Sequence, residues 1–235
     1  MIAAFFDLDG TLTTVHIWQA LARHHRETRT KRLALWGYLA THYPLYFLYK
    51  LRMLSREEAY TRWASDLCWL IAGMTRAEGQ AVFDWVADRQ VCPALRPDVV
   101  DLVRRHQVQG HRVVLVSGTM QPLLEAIGSR LGVDGCIGTV PEARDGRYTG
   151  RTVAPVCQGQ GKVLRLRQYL AGEGAGIDPA ASYAYGDGEW DVPLLESVGH
   201  PAAVYPEPGL LAEAARRGWL VFPEGYGAGE GGHNE

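Results

Sequence analysis

The sequence is short of several things, and each absence narrows what the chain can be. It has only four cysteines, Cys68, Cys92, Cys136 and Cys157, in 235 residues. None falls in a CxxC pair, so neither a zinc site nor a disulfide framework is indicated. Isolated thiols in a reducing cytosol are the expectation, and the protein is read as cytoplasmic. Strong charge of either sign is also missing. The 24 Lys and Arg stand against 26 Asp and Glu, a net charge of −2, so general nucleic-acid binding is not expected. No basic segment precedes the first apolar run, which meets Asp7 almost at once, so no signal peptide is read there. The most apolar stretch, residues 33–54, is interrupted by Gly37, His42, Pro44, Lys50 and Arg52, which makes it a poor transmembrane span. No internal repeat is visible.

What remains is an ordinary globular composition, 47% hydrophobic and 21% charged. The length allows a sizeable core and one inserted subdomain. Residues 2–6 form a short apolar run suited to a strand covered on both faces. Residues 14–90 read mostly as helices rich in Arg, His, Trp and Tyr. From Pro97 the texture changes. DVVDLVRRHQVQG is helical and ends at Gly110; HRVVLVSG is a strand; PLLEAIGSRLG is a helix; GCIGTV is a strand candidate. Asp145-Gly146 between β-formers signals a hairpin. GKVLRLRQYLAGEG is helical, SYAYGDG a strand running into Asp187, and PAAVYPEP and GWLVF are short strands around the helix LLAEAARRG. Strands alternating with helices predict a doubly wound parallel sheet, an α/β fold. The tail from 225 to 235, Gly-rich and polar, is read as disordered.

In such sheets ligands bind beyond the carboxyl ends of the strands. The first strand ends in FFDLDGTLT, with Asp7 and Asp9 two residues apart. VVLV ends in Ser117 and Gly118. YAYG ends in Asp187, with Asp191 four residues on. An ionised carboxylate is costly to bury unless it is paired or bound to a metal. Three strands delivering acids and a hydroxyl to one rim therefore ask for a cation, a substrate, or both.

Four motifs in order carry a resemblance: Asp7-Leu-Asp9-Gly-Thr-Leu-Thr, Val116-Ser117-Gly118-Thr119, Lys162 in GQGK, and GDGEWD with Asp187 and Asp191. Together they resemble the haloacid dehalogenase superfamily of phosphatases, in its phosphoserine-phosphatase-like branch, from residue 2 to about 222. The resemblance implies a catalytic core of residues 1–13 and 91–224 and an all-helical cap inserted at 14–90. It implies a phosphomonoester hydrolase that needs Mg²⁺, with Asp7 as nucleophile forming an aspartyl-phosphate. Asp9 is then general acid and base. Metal ligands would come from Asp7, the backbone carbonyl of Asp9, and Asp187, with Asp191 holding a metal-bound water or orienting Lys162. Gly10, Ser117, Gly118 and Lys162 would hold phosphate oxygens, Lys162 as a compact charge near a helix start. Asp191 could instead cap the helix that follows it. His16, His24, His25, His42 and His106 are read as surface or core histidines, and Asp98 and Asp101 as belonging to a helix N-terminus.

Two departures stand out. Gly188 and Trp190 replace the small polar residues common in the fourth motif. The acid by which phosphoserine phosphatases read the substrate ammonium falls on or near His16, and TTVHIWQALARHH holds no acid. That counts against phosphoserine while leaving the reaction class intact. Over residues 33–54 a cap helix pair broken at Pro44 is expected. The same stretch could serve as an apolar lid for a small or lipid-derived phosphate, or as a surface helix touching a membrane. A phosphotransferase or mutase with the same covalent step, and a non-catalytic phospholigand or membrane-docking module, are the alternatives.

Overall fold

The computed structural model describes residues 1–51, 53 and 56–225. Apart from Gly225, the tail expected from 225 onward lies outside the described residues. The first strand, β1 (Ala3–Phe6), is buried along its whole length. After the turn at residues 7–13 come four helices that add no strand to the sheet: α1 (Ile17–Glu27), α2 (Arg32–Lys50), α3 (Arg56–Asp66) and α4 (Arg76–Val86). The chain then returns beside its own exit. The Thr14 N–H donates to the Ala94 carbonyl at 3.2 Å and the Arg96 N–H to the Leu12 carbonyl at 2.8 Å. Thr13 bridges Leu95. Two adjacent passes of backbone thus tie the helical segment to the end of β1.

The rest alternates: α5 (Pro97–Val108), β2 (Arg112–Met120), α6 (Gln121–Leu131), β3 (Gly135–Arg144), β4 (Arg147–Val153), α7 (Gln160–Ala171), β5 (Tyr183–Gly186), α8 (Val192–Leu195), β6 (His200–Val204), α9 (Pro208–Arg217) and β7 (Leu220–Phe222). The sheet runs β4-β3-β2-β1-β5-β6-β7. Every neighbouring pair is parallel except β3 and β4. That pair is a hairpin in which Asp145 and Gly146 both take positive φ, 49° and 75°, as a two-residue type I′ turn requires. Alternate residues of β1 feed two cores. Ala4 and Phe6 join Val113 and Leu115 on one face; Ala3 and Phe5 join Val114 and Val116 on the other. Burial on both faces is why these strands read as unbroken apolar runs. The order reverses between β1 and β5, the crevice where a doubly wound sheet places its ligand.

One expectation is corrected. The helix pair broken at Pro44 is a single helix, α2, with Pro44 inside it. Pro44 cannot donate to the carbonyl four residues back. Leu35, Tyr38 and His42 are buried beneath the helix, and the His42 ring stacks on Tyr38 at 4.1 Å. That packing outweighs the local preference for a break.

Between α5 and the sheet, Phe6 stacks on Tyr185 at 4.3 Å. The Tyr185 hydroxyl lies 2.7 Å from His106 Nε2, and His106 Nδ1 lies 2.8 Å from His111 Nδ1. Burial, then the neighbouring His111, push the His106 pKa down from 6.5 to about 4. As pH falls from 6.5 to 4 the unfolded chain takes up a proton here that the native state refuses, so this contribution to stability is lost in that window. His106→Gln removes the titration. The wild type's stability margin over the variant should narrow by about 2 kcal/mol across that window, after allowance for solvent screening, in denaturant titrations. A margin that does not change with pH would contradict a neutral buried His106.

Candidate active site

The rim above the β1–β5 crevice is built from three strand ends and one helix start. The Asp7 N–H continues the ladder to the Tyr185 carbonyl at 2.9 Å. This fixes the side chain at the end of β1, where it is only 5% exposed. Lys162, in the first turn of α7, is 2% exposed. Its Nζ donates to Asp7 Oδ1 and to Asp191 Oδ1, both at 2.5 Å. Asp191 in turn accepts from the backbone N–H groups of Asp187 and Gly188 at 3.2 Å. Its side chain therefore turns back toward Lys162 and does not cap α8. Asp187 Oδ1 accepts from the Thr11 hydroxyl at 3.0 Å. The expected Asp7, Lys162, Asp187 and Asp191 thus form one cluster.

Asp9 stands apart from it. One of its oxygens accepts from the Ile17 N–H at 2.8 Å, at the start of α1, and the other from the Thr119 hydroxyl at 3.3 Å. Ser117 and Gly118 lie where the β2–β3 register slips. Val116 pairs with Ile137 and Met120 with Thr139, so three residues of β2 intervene where β3 has one. That bulge takes residues 117–119 out of the ladder and toward the rim. Ser117 Oγ accepts from the Thr119 N–H at 3.2 Å. The Gln158 side chain sits so close to Gly118 that a Cβ there would lie 2.6 Å from its Oε1. Gly10 takes φ +85°, and a Cβ on it would fall 2.0 Å from Asp187 Oδ2. Only glycine lets the loop after Asp7 pass this close to the acid.

Four residues at the site carried no weight in the sequence. Thr11 and Thr119 stand inside the quoted motifs but were given no task. Gln158 stands immediately before GQGK but outside it, and Arg96 lies far from any of the motifs; Arg96 donates to the Gly10 carbonyl at 3.3 Å and stacks on Tyr205 at 3.9 Å. The separation of Arg96 from Gly10 by 86 residues leaves no local signal.

The electrostatics are unbalanced. Among the described residues, the Lys162 ammonium pairs with two of these four buried or part-buried carboxylates, Asp7 and Asp191. Burial pushes the Asp7 pKa up to about 7, opposed by Lys162 and assisted by Asp191. Burial, Asp7 and Asp191 push Asp187 up to about 9. Asp9 is raised by burial as well. Burial works against the Lys162 ammonium, but Asp191 and Asp7 outweigh it and its pKa is raised. Asp7, Asp187 and Asp191 each present an oxygen within 4.8 Å of the others. An all-oxygen donor set with surplus negative charge fits a hard divalent cation such as Mg²⁺.

The sequence profile of the haloacid dehalogenase-like hydrolases matches residues 4–196. The chain belongs to that family. Among curated relatives of this hydrolase, a probable phosphatase of Mycobacterium tuberculosis is 32% identical over 222 residues, covering 94% of this chain and 74% of its own. A phosphoserine phosphatase of the same bacterium is 32% identical over 225 residues, covering 93% and 70%. Among solved structures, a Bordetella pertussis protein of unknown function superposes with a TM-score of 0.79 at 34% identity, covering 93% of this chain and 96% of that one. The hydrolase is thus an enzyme of the family's phosphatase branch, similar to phosphoserine phosphatases.

Gly10→Ala should destabilise the hydrolase more than Gly146→Ala. Both place Ala at positive φ, which costs about 1–2 kcal/mol, but Gly146 meets open space and Gly10 meets Asp187. Equal losses in thermal unfolding would contradict the close approach of this loop to Asp187.

Proposed function

We propose that this phosphatase hydrolyses a phosphomonoester through a covalent aspartyl-phosphate on Asp7, with Mg²⁺ as cofactor. The observation that carries the reading is the Lys162 ammonium, held at 2.5 Å from both Asp7 and Asp191 within a cluster that still has three carboxylate oxygens converging. Asp7, Asp187 and Asp191 with the Asp9 backbone carbonyl are the groups to hold the ion. When bound, it supplies positive charge that offsets the dianionic phosphate.

The chain's own residues divide the work. An Asp7 oxygen attacks phosphorus while the bond from phosphorus to the leaving oxygen breaks, and Asp9 passes its proton to that oxygen. Asp9, now ionised, takes a proton from water as the water attacks phosphorus and the bond to Asp7 breaks. Its two fixed hydrogen bonds aim it, and its raised pKa suits a group that must carry a proton. The Ser117 hydroxyl and the Gly118 N–H hold phosphate oxygens; the Gly10 N–H is taken by the Thr13 carbonyl at 2.9 Å, so Gly10 serves by letting the loop pass close to Asp187. Lys162 keeps Asp7 oriented and screens the incoming anion.

The substrate class is a small or lipid-derived phosphate. Phosphoserine, the substrate in the name of one relative, ranks lower because the exposed His16 stands ahead of α1 where a carboxylate would meet the ammonium. We take residues 14–90 as a helical cap on a core of 1–13 and 91–224. The paired crossings at Thr13 and Leu95 support that division. The cytoplasm is the compartment that suits four free, unpaired thiols.

The test is phosphate release from a panel of phosphomonoesters, with Mg²⁺ or with chelator. Asp7→Asn should lose at least about a thousandfold in kcat/KM. Asp9→Asn should slow alkyl phosphates by about a hundredfold but an aryl phosphate, whose leaving group needs no proton, far less. Release that survives chelation or Asp7→Asn would overturn the reading, and label passing to a second hydroxyl instead of water would point to a transferase.

A further inference from the structure

Helix α2 is apolar on both sides, yet among the described residues only one side is covered. Leu35, Tyr38 and His42 face inward and are buried. On the other side Leu33, Trp36, Tyr43 and Phe47 are 89%, 71%, 62% and 62% exposed, and Leu51, just past the helix, is 68% exposed. Spaced by three, seven, four and four residues, with the exposed Ala40 between Trp36 and Tyr43, they make one stripe along the helix. Ala40 and Pro44 are exposed on the same element. The Thr41 hydroxyl, a polar group on this side, donates to the Gly37 carbonyl at 2.8 Å and so is turned onto its own backbone. A helix apolar all round belongs in an apolar surrounding. A stripe of this length with Trp and Tyr in it is not ordinary water-facing surface.

The charge around the stripe says what covers it. Residues 23–62 carry nine Arg and Lys against three Asp and Glu, while the remainder of the chain carries fifteen against twenty-three. Arg26 in the last turn of α1, Arg29 in the link, and Arg32 at the start of α2 are exposed. Lys50, Arg52 and Arg56 follow in the sequence at its far end. The sequence flanking the stripe on either side is therefore basic. A second copy of the chain, packed on this face in either direction, would set basic end against basic end. An anionic lipid surface meets both demands, accepting the apolar and aromatic side chains at headgroup depth and pairing its phosphates with the flanking cations. Among the described residues no helix is long and apolar enough to cross a membrane.

We propose that α2 docks the protein sideways onto an anionic lipid bilayer, through the stripe Leu33, Trp36, Tyr43, Phe47 and Leu51 and the exposed Arg29 and Arg32 at its start. The contact is a surface one, and it would bring the cap to where phosphorylated lipids lie. It goes beyond the phosphatase reading and does not depend on it.

The test is flotation of the full chain with vesicles of phosphatidylcholine alone, or with about a third phosphatidylglycerol. The wild type should partition at least about tenfold more strongly onto the anionic vesicles, with the excess falling as salt rises. The double variant Leu33→Ser, Trp36→Ser should lose about tenfold or more of that binding. Both positions are exposed, so its unfolding temperature and its phosphate release from a soluble ester should match the wild type. Equal flotation of wild type and variant would overturn the proposal. So would a wild-type dimer in light scattering that the variant converts to monomer, because a second copy would then be the cover. Flotation reads binding without turnover, so a failure here and a failure of the phosphatase reading are told apart.

Discussion

Everything at the rim depends on one buried ammonium. Among the described residues Lys162 is the cation that stands between these acids, and it reaches Asp7 and Asp191 of the three carboxylates Asp7, Asp187 and Asp191. A buried charge pair is weak evidence for stability, because desolvation consumes much of the Coulomb gain. Its value here is positional. It holds the Asp7 carboxylate at a fixed place at the end of β1. It ties that strand end to α7 and, through Asp191, to the loop after β5. The same arrangement leaves a surplus of negative charge that one lysine does not neutralise, a donor set that fits a hard divalent cation.

The fold delivers these groups by simple means. Parallel strands buried on both faces end together, and the order reverses between β1 and β5. Side chains just beyond the strand ends therefore converge without any long-range adjustment. Two local devices refine the convergence. The bulge in β2 turns Ser117 and Gly118 toward the rim, and the positive φ of Gly10 lets the loop pass against Asp187. Asp9 is separated from the cluster by a third device, the start of α1, which takes one of its oxygens. Two carboxylates two residues apart in sequence thus meet different surroundings, as different roles in one reaction require.

Much of this was legible in the sequence because its signals are local. A strand covered on both faces shows as an apolar run, and an acid at the end of such a run has few structural uses. Residues 2–6, 111–118 and 182–187 announced both the strands and the residues beyond them. The hairpin at Asp145-Gly146 was legible for the same reason, since positive φ at both positions selects those residue types. What was not legible depends on distant packing. Pro44 reads as a break, but the buried face of α2 holds the helix through it. Arg96 reaches Gly10 only because the chain returns at Leu95 beside Thr13. Thr11 and Thr119 acquire tasks only once Asp187 and Asp9 arrive from other segments.

The proposed mechanism turns on Asp7, held by Lys162, becoming covalently phosphorylated. The most direct measurement is to quench the enzyme in acid during turnover, reduce the protein with borohydride, and map the peptides by mass spectrometry. An acyl phosphate on a carboxylate is reduced to an alcohol, so homoserine is expected at position 7 and at no other aspartate, appearing only when substrate and Mg²⁺ are both present. Phosphate release in progress with Asp7 unmodified, or with the reduced residue at Asp9 or Asp187, would contradict it.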